Sequence, residues 1–134
     1  MQDGITIGRL AKAAGVNVET VRYYQRRGLL DEPRKPMGGQ RRYPAQLVVK
    51  QIGFIRRAQQ LGFSLEEVKS LMKLADGRNT RETRLIAERK YAVLESRVAE
   101  LNAMRRRLKG LIAASRKATA SGPCPIIAAL SRSD

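Results

Sequence analysis

One cysteine, Cys124, and no histidine stand among the 134 residues, and this limits the chemistry the chain can do. Covalent catalysis needs a nucleophile beside a base, and the commonest base is missing. An enzyme is therefore not expected. The lone thiol has three uses open to it. It can be a small apolar packing residue, a single thiolate ligand helped by other groups, or a redox-reactive group whose pKa only Arg116 or Lys117 in the nearby sequence would lower. The cationic side chains are far more numerous. Lys plus Arg number 27 against 12 Asp plus Glu, a net charge of +15 at pH 7 with an isoelectric point near 11.1. That balance points to a polyanion, with nucleic acid first.

Two stretches place those cations where they can read or grip a duplex. Counting from Val18, a helix would expose Glu19, Thr20, Arg22, Tyr23, Gln25 and Arg26 while Val18 and Val21 turn inward. Arg22 is the best candidate for a base contact, because a guanidinium fork bonds two guanine acceptors at once. Tyr23 and Tyr24 carry hydroxyls suited to phosphate, although one of the pair is expected in the core. The second stretch, residues 36–43, is a Gly-Gly turn followed by Gln40, Arg41, Arg42 and Tyr43. It predicts a small β-hairpin wing whose side chains hold flanking phosphates without reading sequence. Lys50, Arg56 and Arg57 either extend that phosphate track or form a solvated helix face.

The elements that position these residues are mostly helical. Thr6 caps a helix over residues 7–14, Gly15 ends it, Val16 fills the turn, and Asn17 caps the helix that ends before Gly28. This is a helix-turn-helix. Leu47, Val48, Ile52, Ile55 and Leu61 line the next helix, which stops at Gly62. Ser64 and Glu67 then form a capping box, with Phe63 placed to pack on Val68. Composition shifts at Asp76-Gly77, which divides a DNA-binding domain (1–77) from a long helix (78–118) and a tail (119–134). The helix has heptad a positions at Tyr91, Val98, Arg105 and Ile112, and d positions at Ala87, Leu94, Leu101 and Leu108, so it carries one charged interruption. A lone helix with so narrow an apolar stripe needs a partner, most simply its own copy, and a homodimer is expected. The tail reads as a Pro-bracketed loop and one short apolar turn packed back on the dimer helix. No apolar run is long enough to cross a bilayer and no signal-peptide pattern opens the chain, so no membrane partner and a cytoplasmic location are expected.

The runs ITIGRLAKAAGVNVETVRYYQRRGLL, GGQRRY and FIRRAQQLGFSLEEVKSL, together with CPIIAAL near the end, resemble the MerR family of bacterial transcription regulators, and its mercuric-ion-responsive branch in particular. The resemblance implies a mainly α fold, a winged helix-turn-helix followed by a long antiparallel coiled-coil dimerisation helix. It also implies a role as activator and repressor at a promoter with an overlong spacer, whose DNA is bent and underwound so that RNA polymerase is affected through the promoter. The branch uses three cysteines, and these fall on Thr80, Ser115 and Cys124, with an occasional fourth on Ala113. A hydroxyl does not ionise at neutral pH and cannot replace a thiolate for a soft ion, so Hg(II) binding is expected to be weak or lost. The rival reading is a nucleoid-type binder without sequence choice, distinguished by a small specific-to-nonspecific affinity ratio.

Overall fold

A computed structural model describes residues 4–133 as six helices: α1 (Ile7–Ala14), α2 (Val18–Arg26), α3 (Ala45–Gln60), α4 (Leu65–Lys73), α5 (Thr80–Lys117) and α6 (Pro125–Leu130). Two compact units follow, one through Ala87 and one from Glu88.

In the first unit the starts of α1, α2 and α4 are each held by the side chain of the residue before them. The Arg9 amide donates to Thr6 Oγ1, the Thr20 amide to Asn17 Oδ1, and the Glu67 amide to Ser64 Oγ. The Glu67 carboxylate in turn accepts from the Ser64 amide at 2.8 Å, which completes the capping box. Gly15 and Gly28 take φ of +73° and +77°, the left-handed conformation that lets the chain reverse after α1 and α2. The helices then meet over an aliphatic core in which Leu10, Val21, Ile52, Ile55 and Val68 are fully buried. Phe63 packs at the edge of the same core, and Val16 is half-buried there.

Two expectations need correction. Among the described residues there is no β-hairpin: residues 36–39 form a turn closed by the Gly39 amide and the Pro36 carbonyl. The extended chain beyond it pairs instead with residues ahead of α1. Ile5 and Tyr43 exchange amide-carbonyl hydrogen bonds of 2.9 and 2.8 Å as an isolated bridge. The physical reason is that Pro33 and Pro36 lack an N–H, so the incoming arm cannot supply a ladder. The other correction concerns α3. Val48, Ile52 and Ile55 form its buried stripe, whereas Leu47 is 57% exposed and Leu61 is 66% exposed. Leu47 lies about 100° around the helix from Val48, and Leu61 is already past the last helical turn.

In the second unit α5 buries none of its side chains. Tyr91, Leu94, Val98, Leu101, Leu108 and Ile112 are all exposed, Leu101 by 62%. Cys124 occupies the cap position of α6, and Ile127 and Leu130 are exposed in the single protomer.

The core assignment predicts a contrast on α3. Ile52→Ala should cost about 2–5 kcal/mol and lower the thermal midpoint by roughly 10 °C or more. Leu47→Ala should stay within about 0.5 kcal/mol of the parent. Equal losses in thermal unfolding would place the buried stripe on the wrong face.

Candidate nucleic-acid interface and effector position

The recognition-type helix α2 is set by its neighbours before any ligand arrives. Val21 and Tyr24 are buried, so the 3.6-residue repeat turns Arg22, Tyr23 and Arg26 outward. Arg22 Nη1 lies 3.3 Å from Glu19 Oε1, an exposed pair one turn apart. Tyr23 is partly exposed, and the guanidiniums of Arg26 and Arg27 each lie 5.9 Å from its ring centre. The Thr20 hydroxyl is already engaged, donating to the capping Asn17 oxygen at 2.9 Å.

Beside Arg22 opens a polar cavity of about 450 Å³. The first turn of α1 contributes Thr6 and Gly8, α2 contributes Arg22 and Gln25, and the following loop contributes Lys35, Gln40 and Arg41. Glu32 is the only acidic group lining it. Sequence reasoning brought Arg22, Gln40 and Arg41 together here but missed Lys35 and the α1 end. Both had a local signal, the Arg34-Lys35 pair and the Thr6 cap.

Four sequence-predicted contacts have other duties. Tyr24 is the core member of the tyrosine pair, and its hydroxyl donates to Gln59 Oε1 at 2.9 Å. Burial pushes its pKa up, against the lowering effect of Arg56. Tyr43 is only 3% exposed, and its hydroxyl accepts from Gln25 Nε2 at 3.0 Å. Both rings fill the core, and Tyr43 also lines the cavity beside Arg22. Arg56 reaches the Gly15 carbonyl at 3.4 Å and ties α3 to the turn after α1. Arg41 Nε donates to the Pro33 carbonyl at 2.9 Å and lies 4.0 Å from Glu32, holding the loop while keeping a face to the cavity. Arg42, Lys50 and Arg57 remain exposed.

At the far end of the chain the Cys124 thiol is exposed in the single protomer. Its pKa is lowered, and the cause is not Arg116 or Lys117. The N–H groups of Ile127 and Ile126 in the first turn of α6 act on the sulfur most strongly, burial opposes them slightly, and the Ser115 hydroxyl adds to them. None of the N–H groups closes a regular capping hydrogen bond. Ser115 and Cys124 are thus neighbours, as their shared position in the resemblance implied. Among the described residues no three His, Cys, Asp or Glu side chains converge.

Comparison with known proteins places this geometry. Residues 5–75 match the MerR HTH family regulatory protein domain, and residues 49–111 match the MerR, DNA binding domain. The chain is 45% identical to the mercuric resistance operon regulatory protein of Shigella flexneri, over 96% of this chain and 88% of the relative. It is 35% identical to the HTH-type transcriptional regulator ZntR of Escherichia coli, over 78% and 76%. In three dimensions it resembles a transcription regulator from Ralstonia metallidurans solved in complex with lead(II). The TM-score there is 0.81 at 32% identity, covering 95% of this chain and 99% of that one.

The thiol environment predicts a pH profile. Groups that donate to the sulfur favour the thiolate, so alkylation of Cys124 should reach half its maximal rate at a lower pH than alkylation of free cysteine. Ser115→Ala should move that midpoint part of the way back up. A midpoint at or above that of free cysteine would show that the α6 N–H groups do not act on the sulfur.

Proposed function

The chain belongs to the MerR family of DNA-binding transcription regulators, which are not enzymes, and from that premise we propose that it works in the cytoplasm as a homodimer on an inverted-repeat promoter site. Each protomer sets α2 into the major groove and the 35–42 loop along the flanking phosphates. The dimer bends and underwinds an overlong spacer, and RNA polymerase responds to the altered promoter rather than to a direct contact. The observation that supports this most is the cavity shared by Arg22, Lys35, Gln40, Arg41 and the α1 end, which gathers cationic and hydrogen-bonding groups on one exposed face of the helix-turn-helix. In this reading Arg22 reads a base and Tyr23, Arg26 and Arg42 position the duplex, with Thr20 acting through its cap. The apolar face of Tyr91, Leu94, Val98, Leu101, Leu108 and Ile112 is the antiparallel dimer seam. The nucleoid-type alternative is not favoured, because the family consists of regulators.

The effector end of the proposal departs from the mercuric relatives. Of the three thiol positions, Thr80 and Ser115 carry hydroxyls and only Cys124 carries sulfur. Linear or trigonal coordination of a soft ion needs two or three thiolates, so this donor set does not fit Hg(II). The reading is a regulator whose mercury response is weak or absent.

Titration on specific and random duplexes tests the DNA assignment. Arg22→Ala should cost about 1–3 kcal/mol on the specific site and flatten the preference at one base pair per half-site. Arg42→Ala should weaken binding to every sequence alike and reduce the salt slope by about one unit. Equal losses on both duplexes for Arg22→Ala would move it to the phosphate class.

The effector assignment has its own test, which needs no promoter. Because the Ser115 hydroxyl already acts on the Cys124 thiol, Ser115→Cys should create a two-thiolate pair. It should hold Hg(II) against a millimolar thiol buffer, which strips the metal from the unmodified chain. Tight, buffer-resistant binding by the unmodified chain would mean that other ligands complete the site.

A further inference from the structure

Gln25 stands between α2 and the loop that follows it, and its amide uses one nitrogen for two hydrogen bonds. Nε2 donates to the Asp31 carbonyl at 3.4 Å and to the Tyr43 hydroxyl oxygen at 3.0 Å. A carbonyl can only accept, so the nitrogen end of the amide is the end that faces both partners. The Tyr43 oxygen therefore accepts, and its own hydrogen points away from Gln25. Among the described residues that hydrogen has no acceptor. It belongs to a side chain only 3% exposed that lines the cavity beside Arg22. A buried hydroxyl with an unused hydrogen at a cavity wall calls for an acceptor from outside.

Resting on the DNA reading proposed above, we propose that Gln25 is a positioning residue for the DNA backbone: it aims the Tyr43 hydroxyl as a donor into the cavity, where that hydroxyl takes an oxygen of one phosphate in each half-site. The sequence groups Tyr43 with the phosphate-holding residues, and the structure supplies the amide that decides which way its hydrogen turns. The charge of the cavity selects the acceptor. Arg22, Lys35 and Arg41 stand against Glu32, the one acid among its lining residues, and Glu32 lies toward Arg41 at 4.0 Å. An anionic oxygen is therefore preferred to the neutral carbonyl of a base edge, and a hydrogen bond to a charged oxygen is about twice as strong as a neutral one. Room is available on the α1 side, because Gly8 lines the cavity and a Cβ at that position would meet nothing within 4 Å. Gln25 itself touches no DNA in this arrangement. Changing the polarity of its tip should reverse the aim, since a carboxylate at residue 25 accepts the hydroxyl hydrogen and turns it away from the cavity.

Binding to duplexes with single neutral phosphates measures the aim. The probe is a duplex that the parent protein selects from a random-sequence pool, with each flanking phosphate replaced in turn by methylphosphonate. At one phosphate per half-site the penalty of that replacement should be roughly tenfold smaller for Tyr43→Phe than for the parent, because the hydrogen bond it breaks is already absent. Gln25→Glu should show the same reduced penalty at the same phosphate. Gln25→Met, of similar length but without a strong acceptor, leaves the hydroxyl free to turn to the phosphate and should keep most of the parent's penalty. A residue that merely holds the loop would instead make the two Gln25 variants alike and spread the loss over all phosphates. That pattern, or penalties that are the same for Tyr43→Phe and the parent at every phosphate, overturns the proposal while the DNA reading stands. A pool that yields no preferred sequence would remove the promoter reading and this proposal with it.

Discussion

Burial of Val21 sets the orientation on which the DNA-facing side depends. With Val21 fully covered and Tyr24 one turn further on in the same core, α2 can rotate only a little about its axis. That leaves Arg22, Tyr23 and Arg26 in solvent. Asn17 fixes where the helix starts, and Gly15 reverses the chain so that α1 lies against α2 and α3 at once. Gln25 then carries the constraint outward. Sitting one turn after Val21 at the edge of the core, it donates to the Tyr43 hydroxyl, and Tyr43 is paired through its backbone to Ile5 ahead of α1. The burial of Val21, the Gln25–Tyr43 hydrogen bond and the Tyr43–Ile5 bridge together bring α2, the first turn of α1 and the flanking loop onto one cavity.

The electrostatics of that cavity suit exchange of partners. The Arg22–Glu19 and Arg41–Glu32 pairs are both solvent-exposed, at 3.3 and 4.0 Å, and pairs of this kind are worth only about 0–1 kcal/mol. They hold the guanidiniums near the surface in the free protein without competing strongly with a phosphate or a base edge. Arg56 is used differently. Its hydrogen bond to the Gly15 carbonyl and its proximity to the buried Tyr24 put it at the exposed edge of the joint between α1 and α3. A large positive charge therefore does not translate into an equal number of nucleic-acid contacts, since some of the cations hold the fold.

The parts of this arrangement legible in the sequence are those that depend on near neighbours. Thr6, Asn17 and the Ser64–Glu67 box act over three residues, and Gly15 and Gly28 act at single positions, so residue type alone locates them. The wing was misread because strand pairing is not local. The Gly38-Gly39 turn is real, but residue 43 finds Ile5 rather than the arm just before the turn. Leu47 and Val48 are adjacent and equally apolar, so period alone does not decide which faces inward until α1 and α4 are in place. The burial of Tyr24 and Tyr43 was hard to read for a related reason. A phenol has an apolar body and a polar tip, and the sequence does not say that Gln59 and Gln25 are waiting for those tips. The thiol environment had a usable signal, since Pro125 marks the first turn of a helix whose free N–H groups would face Cys124.

The two ends of the chain answer to constraints of different breadth, and this explains how one can change without the other. The DNA-facing unit relies on caps, a core and a cavity spread over some seventy residues, so few single substitutions leave it working. An effector site of two or three thiolates depends on as many atoms. Replacing thiol by hydroxyl at positions 80 and 115 keeps side-chain size nearly constant, and α5 starts at Thr80 without a sulfur there. The fold has no need of the sulfur there, because α5 is a continuous helix from Thr80 through Ser115 with hydroxyls at both positions. A ligand moves a conformational equilibrium only by its difference in affinity for the two states, so under the proposed reading an ion held by a single thiolate would supply little of the link between metal and promoter while the DNA geometry is kept.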